Sequence, residues 1–249
     1  MTPTAKAIVE DGYRIFAGYR LAPPLTVCHC PVCMTPETER ELVTTPLRAL
    51  QSPLLGEYTN SAHGWDDDAV ATEMRYFLPR YLELIALDNP PDCLGLAPCL
   101  RRLGDADWRS KWPAAETELL DRFFAEFVVS SLGRIDPVET RAGWRLKFDF
   151  ADVLSLIANA KGDIDLALAA WDGAADPGAA LHMAALRAQV VRTPERSYLY
   201  SAFLEGEHRD AADKIGAFLT RPEIDKRVEG AFFHVDDARL QQILSDALS

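Results

Sequence analysis

From Asp68 onward the apolar residues Val70, Met74, Phe77, Leu78, Tyr81, Leu82 and Ile85 recur at intervals that stack side chains on one helical face. Asp66, Asp67 and Asp68 precede this stripe, where carboxylates suit the positive end of a helix dipole. Pro79 interrupts it and predicts a bend, because proline removes one backbone donor. A second stripe starts near Pro113 and carries Leu120, Phe123, Phe124, Phe127 and Val128 inward. Shorter helices are expected over Phe150–Ala160, Ile164–Trp171, Pro177–Val191, Pro194–Leu204, Glu207–Leu219, Glu223–Phe233 and Ala238–Leu248.

Helix starts are marked repeatedly by a small polar residue followed by proline, at Thr2-Pro3, Thr35-Pro36, Thr45-Pro46, Ser52-Pro53, Asp136-Pro137, Asp176-Pro177 and Thr193-Pro194. The polar side chain accepts from a first-turn amide, and proline there gives up no bond. Glu139, three residues after Asp136, completes a capping-box pattern. Gly133, Gly162 and Gly173 read as left-handed helix stops. Trp144, Leu146, Phe148 and Phe150 alternate with polar residues, but a single strand lacks a partner, so this stretch reads as a linker. The expectation is an all-α, multi-helix protein. An N-terminal lobe over residues 1–143 would carry the cysteines, and residues 144–249 would form a lobe of paired, repeat-like helical hairpins without a fixed repeat period.

The chain has 249 residues, 26 Lys and Arg against 38 Asp and Glu, and a net charge of −12. That balance repels nucleic-acid phosphates, with only Arg101, Arg102, Arg109 and Lys111 as a short basic cluster, and it favours a basic protein partner. The N-terminal residues lack the apolar core of a signal peptide, and no apolar run nears the ~18 residues of a membrane span. The chain therefore reads as cytoplasmic.

Cysteines change the picture. Of five, Cys28, Cys30 and Cys33 fall in one C-x-C-x-x-C run. The two-residue gap turns the chain so that sulfurs converge on one ion, and Pro31 stiffens that turn. Zinc wants four ligands in a structural site, so a fourth is expected from His63, with Cys93, Cys99 and His29 as alternatives. Reduced cysteines that merely pack rank second. A redox dithiol at Cys30-Pro31-Val32-Cys33 ranks third, because the strands of a thioredoxin-like fold are missing from the pattern. His182, His208 and His234 sit on separate expected helices and read as structural.

The runs Cys28-His29-Cys30-Pro31-Val32-Cys33-Met34-Thr35-Pro36-Glu37, Thr45-Pro46-Leu47-Arg48, Tyr58-Thr59-Asn60-Ser61-Ala62-His63 and Arg75 to Ala86 resemble a family of uncharacterised bacterial cytoplasmic proteins. The likeness covers about the first third of the chain. That family carries no established activity, so the resemblance implies a coherent motif region and no function.

Two functions from different classes follow. One is a non-enzymatic protein-binding module with a structural zinc site, of the immunity, antitoxin or adaptor type, with an acidic face for a basic partner. The other is a metal- or thiol-dependent enzyme whose site joins the cysteine loop to Asn60, Ser61, His63 and Arg80.

Overall fold

A computed structural model describes residues 1–63 and 67–248. The fold is mostly helical. Among the described residues there are thirteen α-helices, and the strands form only two two-stranded sheets. No helix among them is long and apolar enough to cross a membrane.

The chain forms two compact units, Met1–Glu126 with Asn159–Gly162, and Phe127–Ala158 with Asp163–Ser249. The main segment of the first unit thus ends at Glu126.

The first unit contains α1 (Pro3–Ile15), α2 (Pro36–Thr44), α3 (Ser52–Asn60), α4 (Asp67–Ala86), α5 (Arg101–Asp105), α6 (Trp108–Lys111) and most of α7 (Ala114–Ser131). Its centre is α4. The expected stripe from Val70 to Ile85 is buried throughout, each large side chain contributing roughly 1.5–3 kcal/mol of burial. Pro79 lies inside the helix, as the sequence indicates. Of the aspartates expected at its start, Asp66 lies outside the described residues. Thr2 and Thr35 cap α1 and α2 as expected, accepting from the amides of Ala5 at 3.0 Å and Thr38 at 3.2 Å. Thr45-Pro46 opens only a single 3-10 turn over Leu47–Ala49, and α3 takes Gln51, not Ser52, as its cap.

The second unit holds β1 (Pro137–Thr140), β2 (Gly143–Leu146), α8 (Ala151–Asn159), α9 (Ile164–Gly173), α10 (Pro177–Arg187), β3 (Val190–Arg192), β4 (Ser197–Leu199), α11 (Arg209–Leu219), α12 (Pro222–Phe232) and α13 (Ala238–Asp246). Several features here depart from what the sequence pattern predicts. Asp136-Pro137 opens strand β1, which pairs antiparallel with β2, so Trp144 to Leu146 form a hairpin strand rather than a linker. Thr193-Pro194 opens no helix. Thr193 closes the β3–β4 turn by exchanging bonds with Arg196, Oγ1 to the carbonyl and amide to Oγ1, both 3.2 Å. The lobe is therefore helices interleaved with two hairpins rather than helical hairpins alone. The left-handed residue after α8 is Lys161, at φ +52°, while Gly133 and Gly173 do not adopt that conformation.

Gly216 explains how α11 packs on β4: a Cβ there would collide with the backbone of Ser197 and Tyr198. The core of this unit is aromatic. Phe150 stacks on His182 at 4.9 Å and meets Trp171 at 4.6 Å, and Trp171 meets Phe218 at 5.4 Å. His182 is fully buried, and neither ring nitrogen reaches hydrogen-bond geometry. Burial pushes its pKa down to about 4, even though the carbonyls of Leu132 and Ser131 pull the other way. The side chain is thus neutral when folded and protonates readily when unfolded. Its contribution is unchanged above pH ~6.5 and becomes a penalty on the folded state as pH falls from there toward 4. Asp152, raised to about 6 by burial and then by Asp149, acts in the opposite sense over part of that range. Comparison with a variant isolates the histidine. His182→Phe is expected to gain about 2 kcal/mol on wild type between pH 7 and pH 5, measured by urea unfolding at both values.

Candidate metal centre

The loop between α1 and α2 carries the three cysteines. The amides of Cys33 and Met34 both donate to the Cys30 carbonyl, at 3.1 and 3.2 Å, which closes the turn through Pro31 and Val32. Buried Met34 anchors its far end. The sulfurs of Cys28, Cys30 and Cys33 consequently lie within 4.8 Å of one another and could hold a metal ion. Thiolates around a tetrahedral zinc stand about 3.8 Å apart, given Zn–S bonds of ~2.3 Å, so little closure is required.

Thiolate formation is favoured at one position. The amides of Cys33 and then Val32 point at the Cys30 sulfur, and with help from the Cys28 and Cys33 thiols they hold its pKa at about 7. At Cys33 the Ala62 amide draws the thiol down. The hydrogen bond with Cys30, desolvation and Cys28 together outweigh it and leave the value raised. Cys28 is exposed, and Cys30 and Cys33 are half-buried.

The loop is clamped from several sides. Upstream, the Leu25 amide donates to Glu39 Oε1 and the Thr26 amide to Glu73 Oε1, both at 2.5 Å. His29 Nε2 lies 3.3 Å from the same Glu39 oxygen. Across the loop, the Cys28 amide donates to the Ala62 carbonyl at 2.5 Å, and Ser61 Oγ reaches the Cys33 carbonyl at 2.6 Å.

Behind these contacts runs a buried polar chain. Glu73 Oε2 accepts from Tyr58 Oη at 2.9 Å. Burial first, and then the Glu73 charge, push the Tyr58 phenol well above its usual range, so it stays a neutral donor. The Arg102 guanidinium lies 4.3 Å from the Tyr58 ring centroid, and its Nη2 donates to the Ser61 carbonyl. Arg102 is only 3% exposed, and its Nε and Nη1 have no hydrogen-bond acceptor. It is a buried cation held by one carbonyl and one aromatic face.

The other candidate ligands are placed as follows. His63 follows Ala62 directly, and its Nε2 lies 3.1 Å from Asp105 Oδ2. The Cys93 thiol donates to Asn60 Oδ1 at 3.0 Å, and burial pushes the Cys99 thiol well up, keeping it neutral. Among the described residues, none of His29, His63, Cys93 or Cys99 joins the three sulfurs within that 4.8 Å separation. Arg80 lies elsewhere, donating to the Leu50 carbonyl at 2.7 Å and to Glu83 at 2.6 Å. The basic cluster read from the sequence is not an open patch. Arg102 is buried, Arg109 pairs with Asp121 at 2.6 Å, and Lys111 lies 4.0 Å from Asp107.

Glu73, Arg102, Asp105 and Glu39 are the residues the sequence reading missed. Glu73 had a signal: it falls three residues after Val70 and four before Phe77, a carboxylate on the apolar face of α4. Tyr58→Phe removes a donor from a buried carboxylate and is expected to cost about 1–3 kcal/mol in urea unfolding while preserving the helical circular dichroism.

Set against protein-family models, curated proteins and solved structures, the chain finds no match, so its functional reading rests on this geometry.

Proposed function

We propose that the protein is a non-enzymatic binding module whose first unit is stapled by one zinc ion on Cys28, Cys30 and Cys33, with His63 as the fourth ligand. The observation that carries this reading is the thiol triad on a loop clamped by Glu39, Glu73, Ser61 and Ala62. His63 is supported by its place next to Ala62 and by the Asp105 carboxylate at its Nε2, since zinc-binding imidazoles commonly carry a carboxylate on the nitrogen that faces away from the metal. His63 lies outside the 4.8 Å cluster, so ligation would bring the His63 segment to the sulfurs. Zinc would supply a cross-link between that segment and the cysteine loop, so its binding energy becomes folding energy.

The net charge of −12 supports a basic protein as partner, of the kind an immunity protein, antitoxin or adaptor engages. Val32, 92% exposed at the tip of the cysteine loop, offers an apolar contact point beside the metal. The His63–Asp105 pair favours a second reading, a metal- or thiol-dependent enzyme, in which His63 serves as base rather than ligand.

The test is metal content and its consequence. Purified protein is expected to hold one zinc per chain by elemental analysis. Zinc at 100 times its dissociation constant should add about 2.7 kcal/mol of stability over chelated protein. Cys30→Ser should abolish that gain. Retention of all five free thiols together with indifference to chelators would remove the site. A basic partner, once captured, should associate more slowly as salt rises. A turnover that His63→Ala abolishes, with zinc content intact, would favour the enzyme.

A further inference from the structure

The second unit contains a cavity of about 790 Å³ that the metal site does not touch. Such a volume lies within the ~300–1,000 Å³ range of small-molecule sites. The β1–β2 hairpin, the end of α10, β3 and α13 line it, and it opens to solvent. Its wall is mixed: the alanines of α10, Val190 and Ile243 give it an apolar part, Trp144 adds an aromatic surface, and the remainder is polar.

Its polar groups are unevenly signed. Three arginines, Arg145, Arg187 and Arg192, face it against one carboxylate, Asp246. This concentration stands out in a chain with twelve more acidic than basic residues. Arg187 is engaged by Asp225 in an ion pair, yet its buried Nε has no hydrogen-bond acceptor. Arg145 and Arg192, on β2 and β3, are exposed and form no ion pair or side-chain hydrogen bond among the described residues. Hairpin strands hold both in place at the backbone, through Arg145 opposite Val138 and Arg192 opposite Ser197. Neither guanidinium is needed by the fold.

We propose that this cavity binds a small organic anion, a carboxylate or phosphate carried on a flat apolar body. The guanidiniums of Arg145 and Arg192 would grip the anionic end, since planar guanidinium forks bind either oxyanion bidentately. Trp144, Ile243 and the α10 alanines would cover the apolar body. Arg187, held by Asp225, supplies a fixed positive charge in the wall, and Asp246 at the same cavity disfavours fully polyanionic ligands.

The test uses the full chain and 8-anilinonaphthalene-1-sulfonate, an aromatic anion whose fluorescence rises on binding. It is then displaced by 1-naphthyl phosphate, 1-naphthoate and the neutral 1-naphthalenemethanol. At least one naphthyl anion should displace the dye at least about tenfold more strongly than the neutral compound, the scale of one charge-assisted contact. Displacement by the phosphate alone narrows the ligand to phosphate esters, and by the carboxylate alone to organic acids. The double variant Arg145→Gln, Arg192→Gln, checked by circular dichroism for intact fold, should weaken the effective anion about tenfold or more and leave the neutral compound unchanged. Equal displacement by all three compounds, failure of the dye to bind, or undiminished anion binding in the double variant would overturn the proposal.

Discussion

A buried charge that must be satisfied organises the first unit. Glu73 points into the core of α4's apolar face, where an unpaired carboxylate would be strongly disfavoured. It is accommodated by the Thr26 amide and the Tyr58 phenol, and Tyr58 in turn carries the Arg102 guanidinium on its ring. Arg102 reaches the Ser61 carbonyl, and Ser61 reaches Cys33. The two ends of the cysteine loop are thus tied to one network crossing α3, α4 and α5. Here the backbone bonds hold the three sulfurs within 4.8 Å of one another, an arrangement that would lower the ordering cost of holding an ion.

The second unit follows a different logic. Its aromatic core around Phe150, Trp171 and His182 is closed by apolar contact, with a histidine kept neutral by burial. Its two hairpins add edges that present polar side chains toward a cavity, a placement that long helices alone do not offer.

How much of this was legible in the chain depends on the range of the interaction involved. The α4 stripe, and the caps at Thr2, Thr35 and Asp176, are local patterns, and the structure contains them. Asp136-Pro137 and Thr193-Pro194 carry the same local pattern and open a strand and a turn instead, because proline's fixed φ also suits the first residue of an edge strand. Only a partner strand decides between the two, and pairing of β1 with β2 is set at the level of the hairpin. The cysteine cluster was visible because its residues are adjacent in sequence. Arg102 was not: in the chain it belongs to a basic run, and only the packing of α5 beside Tyr58 shows it to be a buried support.

This buried support would shape the thiol site from outside the thiols. Ser61 tests it most directly, because its hydroxyl touches the Cys33 carbonyl and is no ligand. The measurement is the zinc dissociation constant of wild type and Ser61→Ala, by competition with a chromophoric chelator at fixed pH. An orienting contact of this kind predicts about a tenfold or greater loss of affinity in the variant, with helical content unchanged. Equal affinity in the two proteins would contradict the account.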